Sequence, residues 1–293
     1  MEHLIEHLPE ILSHTLLDTL KLIPFLFLAY LLMEFLEHRA GNAAEHQLQR
    51  SGKIGPLIGA ALGILPQCGF SVAAAGLYTG RVVTTGTLIA VFLSTSDEML
   101  PILLSEGAPL PLIAQILGVK LAVGIATGFL IDLIERIVHR KKKIITEPQI
   151  EALCERENCR CGEHFAISAL RHTLHITLFI LLFTFLIELA IHGIGEERLG
   201  ALLGGAPIVS NLIAAVVGLI PNCASSVVLT EMYLGGILSA GAMLSGLLVN
   251  AGMGLAVLFR NNRPVRDSLR ILVILFGIGA VTGIFLDLIG FLA

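Results

Sequence analysis

Two stretches of the chain decide its fold: GILPQCGFSVAAAGLYTG at residues 63–80 and GLIPNCASSVVLTEMYLG at residues 218–235. Each contains a proline, an amide side chain and a cysteine in a row, and they lie about 155 positions apart. The same offset continues between TGFLIDLI at residues 127–134 and TGIFLDLI at residues 282–289. The chain is therefore a duplicated unit, which among membrane proteins is typical of transporters.

The composition places the chain in a membrane. Apolar residues make up 55% of the sequence and charged residues only 14%, and the mean hydropathy is +0.85. Apolar runs such as residues 24–33, 174–187 and 271–286 suit spanning helices, which need about 20 residues. These features exclude a soluble enzyme and a nucleic-acid-binding protein. The sequence also lacks a phosphate-binding loop and the zinc-protease and serine-hydrolase motifs, so we expect neither an enzyme nor a cofactor.

The segment before the first duplicated proline is too short to cross a bilayer. Residues 54–65 would form about 18 Å of helix, against a hydrocarbon core of about 30 Å. If the stretch after Cys68, as far as Gly80, returns to the same side, each half contains one broken re-entrant helical hairpin and three spanning helices. An odd number of crossings inverts the second half relative to the first. The predicted spans are residues 14–37, 82–104, 111–137, 171–192, 236–259 and 268–291.

The sequence therefore predicts an all-α, polytopic membrane protein built from two inverted repeats. It has ten helical segments when both arms of each hairpin are counted. Residues 1–137 form the first transmembrane repeat and residues 171–293 form the second. Residues 138–170 form a cysteine-containing loop between them, which we predict to be cytoplasmic.

The basic residues support the inverted arrangement. With the N-terminus outside, one side of the membrane receives 16 of the 19 Lys and Arg residues, and the positive-inside rule assigns that side to the cytoplasm. Both termini then lie outside an inner (plasma) membrane. If the hairpins were ordinary crossings, the clusters at residues 140–143 and 260–270 would lie on opposite faces, so we prefer the inverted alternative. The 16 residues are Arg39, Arg50, Lys53, Arg81, Arg136, Arg140, Lys141, Lys142, Lys143, Arg156, Arg160, Arg171, Arg260, Arg263, Arg266 and Arg270.

A proline breaks each hairpin at its tip, at Pro66 and at Pro221. In lipid, a helix break is tolerated only where the freed backbone is buried in protein or lines a wet cavity. Hairpins entering from opposite faces would bring their tips together near the midplane, where inverted-repeat transporters hold substrate. The alternative for Cys68 and Cys223 is simple packing, because free cysteine is commonly buried and inert. The candidate substrate-binding residues are Gln67, Cys68, Ser71, Asn222, Cys223, Ser225, Ser226 and Asn250.

Three acids inside apolar segments are candidates for ion coupling: Asp97, Glu98 and Glu231. An ionised carboxylate in a bilayer costs several kcal/mol, so each needs a cation, a proton or a water-filled cavity. The second half has no acid at the positions of Asp97 and Glu98, an asymmetry that suits an ion pathway. The alternative is that Asp97 or Glu98 forms a buried structural ion pair with Lys120.

The central loop contains a second group of metal-binding residue types, Cys154, Cys159, Cys161 and His164. Cytoplasmic thiols stay reduced, so metal or metalloid binding is favoured over disulfides. The spacing is not that of a regular zinc finger. We predict a loosely structured site for capturing or sensing a soft metal, with a solvated linker as the alternative.

The duplicated Gly-x-x-Pro-x-Cys-x-x-Ser pattern, with a cysteine-bearing loop between its copies, resembles a family of ten-helix heavy-metal exporters. Members of this family are described as arsenic-efflux permeases or manganese transporters, and the likeness covers nearly the whole chain. The resemblance implies a secondary transporter that exports a metal or metalloid across the inner membrane by alternating access. Arsenic and a divalent metal such as manganese are the substrates it suggests.

The expected partners are the metal or metalloid substrate and the lipid bilayer, and a homodimer is allowed for, but nucleic acid is not expected. Two alternatives stay open: a transporter of an organic or oxyanion substrate bound at the hairpin helix N-termini, and a channel-like or sensory membrane protein. An intramembrane enzyme with a cysteine nucleophile would lack a suitable base. The candidate metal ligands are Cys68, Cys223, Asp97, Glu98, Glu231, Cys154, Cys159, Cys161 and His164.

Overall fold

The computed structural model describes residues 54–96, 98–138, 173–183 and 207–291, with positions 170, 185 and 186 and scattered positions between 16 and 31. Within these residues the chain is helical apart from short turns, and no strand occurs in them. The prediction of an all-α protein is confirmed for this part of the chain.

Helices follow one another in the same order in the two halves of the chain. The first half contains α1 (Gly55–Gly63), α2 (Gly69–Thr79), α3 (Thr85–Ser94), α4 (Met99–Ser105) and α5 (Leu110–Val138). The second half contains α6 (Pro207–Gly218), α7 (Ala224–Leu234), α8 (Ala240–Val249), α9 (Met253–Asn261) and α10 (Val265–Leu288). Helices α2 and α7 are separated by the same sequence offset at both ends, and so are α3 and α8. The offset between the duplicated motifs is thus also the offset between equivalent helices.

Within the described residues, four segments are long and apolar enough to cross a membrane: Thr85–Ser105, Leu110–Val138, Ala240–Asn261 and Val265–Leu288. In the first and third of these, 71% and 94% of the most apolar stretch is buried, against 33% in each of the other two. The first and third spans therefore form the inside of the protein. The second and fourth, which are α5 and α10, turn most of their apolar surface outward, as lipid contact requires.

The two inner spans are not continuous helices. One is interrupted between α3 and α4, and the other between α8 and α9, whereas the sequence predicted unbroken spans at residues 82–104 and 236–259. Thr95 has an extended ψ of 124°, and its hydroxyl donates to a backbone carbonyl one turn back, so it competes with the helix. Gly252 has a φ of +51°, a conformation that glycine adopts at little cost. We call residues 95–98 and 250–252 the first and second interruptions.

Helix α1 lies alongside α3 and runs in the same direction. A Cβ atom added to Gly55 would collide with Thr87, and one added to Gly63 would collide with Ser94. Glycine at these positions allows the two helices to approach closely. Because α2 connects the end of α1 to the start of α3, it runs back in the opposite direction. Helices α1 and α2 thus form a hairpin beside the first half of the span Thr85–Ser105.

Each hairpin also reaches across to the other half of the chain. Helix α2 packs along α9, and α7 contacts α4. Near the start of both α2 and α9, a Cβ atom on Gly254 would lie 2.7 Å from the backbone of Ser71. Near the end of α2, the Tyr78 hydroxyl donates at 2.8 Å to Asp267, which follows the end of α9 in the chain. Helices α2 and α9 therefore run in the same direction.

Arginine side chains gather on one face of the protein. Arg270 lies 3.4 Å from Glu135, which brings the start of α10 to the end of α5. Arg81, which follows α2, lies 3.7 Å from Asp267 near the start of α10. We call this surface the arginine face. Its described arginines are Arg81, Arg136, Arg260, Arg263, Arg266 and Arg270.

A carboxylate fastens the start of the first inner span. Asp132 on α5 accepts hydrogen bonds from the Gly86 N–H at 2.9 Å and from the Thr84 hydroxyl at 2.8 Å. The Thr84 hydroxyl also accepts from the backbone and caps α3. A Cβ atom on Gly86 would collide with the backbone oxygen of Gly128 and with Asp132, so the contact requires glycine.

The second inner span is fastened in the same way. Asp287 on α10 accepts from the Gly241 N–H at 2.9 Å and from the Ser239 hydroxyl at 2.8 Å. One contact is added in this half, because the Asn211 amide donates to Asp287 at 2.6 Å. The duplicated aspartates therefore hold equivalent helices together.

Candidate functional site

The two cysteines stand at the tips of the hairpins. Cys68 immediately precedes α2, Cys223 immediately precedes α7, and each is a free thiol that is 8% exposed. Each preceding helix ends near a proline, which has no N–H to donate. The N–H groups of Gln67 and Asn222 then close tight turns, each donating two residues back, at 2.7 and 2.8 Å. We call residues 64–68 the first tip and residues 219–223 the second tip.

The structure brings the tips together with the interruptions. Cys68 and Cys223 belong to one contiguous cluster of buried apolar residues, which also contains Ala251 of the second interruption. In the first interruption, the Ser96 hydroxyl donates to the Ile64 carbonyl in the first tip. The first tip therefore contacts the first interruption, and both tip cysteines lie in the same buried cluster as the second interruption.

The predicted serines line these turns and are fully buried. Ser71 and Ser226 each donate to the carbonyl of the tip cysteine three residues earlier, at 2.7 Å. Ser225 donates to the backbone carbonyl of Asn222 at 2.8 Å. Because each hydroxyl proton is used within its own turn, only the oxygen lone pairs are left to accept a hydrogen bond or contact a ligand.

The three predicted amide side chains have different surroundings. Asn222 is 1% exposed, and within the described part of the chain its Nδ2 has no hydrogen-bond partner. Gln67 is half-buried. The Oδ1 atom of Asn250 accepts from the Gly252 N–H at 2.8 Å, so Asn250 shapes the second interruption. A buried amide without a partner carries a cost, which a ligand at the second tip would remove.

The predicted acids are spread over different places. Glu98 lies in the first interruption and is half-buried. Glu231 lies near the far end of α7, about 12 Å along the helix from Cys223, and is exposed. Glu231 is therefore separate from the tips. Asp97 lies outside the described residues.

A lysine also lies in the interior. Lys120 on α5 is 0% exposed, and its Nζ donates to the Leu247 carbonyl in the last turn of α8 at 2.5 Å. The sequence singled out Lys120 only as a partner for Asp97 or Glu98, and that ion pair stays a prediction.

The central-loop candidates, Cys154, Cys159, Cys161 and His164, lie outside the described residues. Among the residues that are described, no group of three or more His, Cys, Asp or Glu side chains is placed to hold a metal ion. The metal role of the loop stays a prediction.

A cavity of about 240 Å³ opens between α1, α2 and the start of α3. Its walls are largely apolar and include Leu62, Phe70, Leu77 and Val83. Neither tip cysteine lines it, so this cavity is distinct from the candidate site.

The sequence matches the model of a family described as "Putative, 10TM heavy-metal exporter" over residues 9–157 and 140–260. These overlapping segments cover most of the chain and include both tips and both interruptions. The chain belongs to this heavy-metal exporter family. No curated protein and no solved structure matches the chain.

Membership in the exporter family confirms the resemblance drawn from the duplicated motif. The chain is a multi-pass membrane protein of a transporter family, and not of an enzyme family. The family description supports a heavy metal as the class of substrate.

Sequence reasoning missed two features of this exporter's interior. The first is the interruption of both inner spans, although polar or glycine residues occur at equivalent positions, in Thr95-Ser96 and in Asn250-Ala251-Gly252. The second is the contact of Lys120 with α8. The available signal was that the duplicated position holds an apolar residue, Leu275.

Proposed function

We propose that this chain exports a soft metal or metalloid across the inner membrane, and that trivalent arsenic, as its neutral hydroxide, fits the site best. The observation that carries the proposal is the presence of two buried thiols, Cys68 and Cys223, in one buried cluster, with the unpartnered amide of Asn222 next to the second thiol in sequence. Soft thiolate ligands suit soft metals and metalloids. The amide N–H donates to oxygen, which a hydroxide of arsenic provides.

A hard dication such as manganese fits these groups less well. It prefers carboxylate and carbonyl oxygen, and Glu231 is exposed and far from the second tip. An amide N–H also repels a bare cation, because it presents the positive end of its dipole. A neutral hydroxide avoids the cost of carrying net charge into a site of low dielectric constant.

An inverted topology is part of this proposal, and the directions of the helices support it. The first inner span, Thr85–Ser105, begins beside Arg81 on the arginine face, and the second, Ala240–Asn261, ends there at Arg260. Two equivalent spans that cross in opposite directions are what an inverted repeat requires. The matching direction of α2 and α9 supports the same arrangement.

The arginine face is then cytoplasmic by the positive-inside rule, and both termini face outward. Each hairpin is re-entrant on this proposal, because α1 runs beside only the first half of the neighbouring span. Alternating access would depend on the two interruptions, since the first is bonded to the first tip and the second lies in the buried cluster that contains both tip cysteines.

One observation favours a second candidate, an oxyanion or organic anion. Helices α2 and α7 both begin at the tips, so the positive ends of their dipoles point into the site. Such a substrate would not depend on the thiols, and a panel of substrates separates the two candidates.

Uptake into everted membrane vesicles tests the proposed function. Vesicles containing the wild-type protein should accumulate arsenite in preference to manganese and arsenate. The double variant Cys68→Ser with Cys223→Ser, which keeps size but removes the soft ligands, should lose about tenfold or more of this uptake, as expected for a lost contact of about 1.4 kcal/mol. Preference for arsenate would instead support the oxyanion.

Two further variants test the roles of the acids and of the cysteines in the central loop. Glu231→Gln with Asp97→Asn should reduce arsenite uptake less than the serine variant, and if these acids relay a coupling proton it should still allow downhill exchange. Changing Cys154, Cys159 and Cys161 to Ser should alter the concentration dependence and leave the maximal rate nearly intact. Near-wild-type uptake by both the tip and the acid variants would show that these residues are not the site.

Reporter fusions test the topology separately. Reporters that are active on only one side of the membrane should place Met1 and Ala293 in the periplasm and Lys142 in the cytoplasm. A cytoplasmic C-terminus would contradict the model with two re-entrant hairpins.

A further inference from the structure

Lys120 is a cationic residue enclosed within a membrane span. Its Nζ donates to the Leu247 carbonyl at 2.5 Å, and its side chain is 0% exposed. Leu247 lies in the last turn of α8, just before the second interruption. Ionisable residues buried at membrane depth are costly and generally functional.

Lys120 also lies close to the level of the first interruption. Helices α3 and α5 run in opposite directions, since Asp132 near the end of α5 binds the start of α3. Gly124, one turn after Lys120, packs against the end of α3. A Cβ atom there would lie 3.0 Å from the Ala90 oxygen and 3.6 Å from the Ser94 Cβ. Lys120 lies one turn before Gly124 on α5. Because α3 and α5 are antiparallel, this places Lys120 at the level of the residues that follow Ser94.

The carbonyl that binds Lys120 is next to the residue that supports the second hairpin. Gly218, the last residue of α6, packs so closely on Gly246 that a Cβ atom would collide with its backbone. Gly246 precedes Leu247, and the second tip begins immediately after Gly218. A short series of backbone contacts therefore leads from Lys120 through α8 to the second tip.

The duplication shows that packing does not require a lysine here. The position equivalent to Lys120 is Leu275, and the position equivalent to Leu247 is Phe92, and both are 0% exposed. Carbonyls at the C-terminal end of a half-helix carry partial negative charge, and in inverted-repeat transporters they bind cations. In this protein, the ammonium group of Lys120 takes the place of such a cation at the Leu247 carbonyl.

We propose that Lys120 is the coupling residue of the exporter, which binds and releases the driving proton, an inference that rests on the transport function proposed above. When protonated, its ammonium holds the Leu247 carbonyl and fixes the end of α8. On deprotonation one N–H bond breaks, the nitrogen keeps the electron pair, and the proton passes to water. The neutral amine holds the carbonyl less strongly, so the second interruption is released. Protonation from the other side of the membrane completes the cycle.

Most helices that pack near Lys120 contain only apolar and neutral polar side chains. Helices α1, α3, α4 and α8, which pack near it, contain no titratable side chain. On α10, Asp287 is held at the opposite end of α8 by Gly241. Glu98 of the first interruption is the described acid nearest in level, and Asp97, its neighbour in sequence, lies outside the described residues.

Purified protein in proteoliposomes separates coupling from transport, with arsenite as the probe. Two rates are measured: arsenite exchange without a pH gradient, and arsenite accumulation driven by one. Lys120→Met should keep exchange within about twofold and lose about tenfold or more of the driven accumulation. The matched control Leu275→Met should keep both. Parallel loss of both rates in Lys120→Met, or retention of both, would overturn the proposal.

A measurement without substrate distinguishes failure of this inference from failure of the transport function. In variants whose only cysteine is Cys223, alkylation by N-ethylmaleimide reports release of the second tip. Lys120→Arg cannot release its proton, so it should react about fivefold or more slowly than Lys120→Met, both variants being first checked for monodisperse elution. Equal alkylation rates would overturn the role of Lys120. Different rates in a protein that exchanges no arsenite would contradict the transport proposal and leave the link between Lys120 and the tip intact.

Discussion

Two of the junctions between the halves of the exporter differ in chemistry. At the arginine face, the end of α2 meets the turn before α10. The Tyr78 hydroxyl and the Asn262 amide donate to Asp267 at 2.8 and 2.9 Å, and Arg81 lies 3.7 Å away. We call this the polar junction.

At the other junction, the end of α7 meets α4 and the start of α5. Tyr233, the equivalent of Tyr78, packs against a buried apolar cluster that includes Met99, Leu103 and Ile113. We call this the apolar junction.

Two substitutions explain most of the difference. The polar junction has Arg81 and Asp267 where the apolar junction has Gly236 and Leu112. Hydrogen bonds fix distances and angles, whereas apolar contacts tolerate sliding. The comparison teaches that one duplicated scaffold can hold one side of the protein by directional contacts and the other by packing alone.

The largest effect is expected where the halves are alike. Gly86→Ala and Gly241→Ala should each cost about 3 kcal/mol or more, because a Cβ atom at either position would collide with a backbone oxygen and a carboxylate that have no room to move. Thermal unfolding of detergent-purified protein measures the loss. Gly118→Ala is the control, because nothing lies within 4 Å of its added Cβ. Unequal losses in the two halves would show that the aspartate caps are less alike than their geometry indicates.

The next largest effect should be confined to the polar junction. Asp267→Leu leaves the Tyr78 hydroxyl buried without an acceptor and should lower the free energy of unfolding by about 1–3 kcal/mol. Removing both partners, in Asp267→Leu with Tyr78→Phe, should recover part of this loss. Thermal unfolding of the two single variants and the double variant measures the coupling. Strict additivity would mean that the hydrogen bond contributes nothing to the junction.

A smaller effect should distinguish the two equivalent tyrosines. Tyr78→Phe removes the hydrogen bond to Asp267 and should cost about 0.5–1.5 kcal/mol. Tyr233→Phe should change stability by less, because its ring packs in an apolar cluster and its hydroxyl forms no hydrogen bond within the described residues. Chemical denaturation of the two variants side by side tests the difference, and an equal cost would argue against distinct junction chemistries.

The smallest effect is expected for Arg81→Gly, because two contributions oppose each other. Arg81 has a φ of +60°, which costs a side-chain-bearing residue about 1 kcal/mol. Its partly exposed ion pair with Asp267 contributes only about 0–1 kcal/mol, so the net change should stay within about 0.5 kcal/mol. Melting temperatures at low and high salt check both contributions. A large loss at either salt concentration would show that Arg81 is essential to the polar junction.

Much of this architecture could be predicted because the duplication repeats each signal. The Pro-x-Cys motifs indicated both hairpin turns, and the structure has helices ending and beginning there. The interruptions escaped prediction because hydropathy averages over a span, and a few polar residues in Thr85–Ser105 do not lower it enough to indicate a break. Their presence depends on local backbone bonding by side chains such as Thr95 and Asn250.

The candidate site was predictable in its residue types and not in its contacts. The sequence placed Cys68 and Cys223 at the tips, but burial of Asn222 without a partner depends on how the second tip packs against α8. The charge of Glu231 within an apolar segment predicts a role in ion coupling. However, α7 leads away from Cys223, so Glu231 lies far from the second tip. Which way a side chain leaves a helix relative to other helices is a tertiary property that one sequence does not specify.

On the proposed alternating-access mechanism, each interruption would act as a hinge between the two helices, or rods, of its inner span. A rod of ten residues is about 15 Å long, so tilting it by about 10° moves its far end by about 2.6 Å, close to the diameter of a water molecule. Such a tilt needs new torsion angles only at Thr95–Glu98 or Asn250–Gly252, and breaks no hydrogen bond within either rod. The Asp132 and Asp287 caps lie at the outer ends of α3 and α8, so each cap can anchor one rod while the other moves. Water could then reach the thiols through a small lever motion, and no helix would have to slide through the membrane.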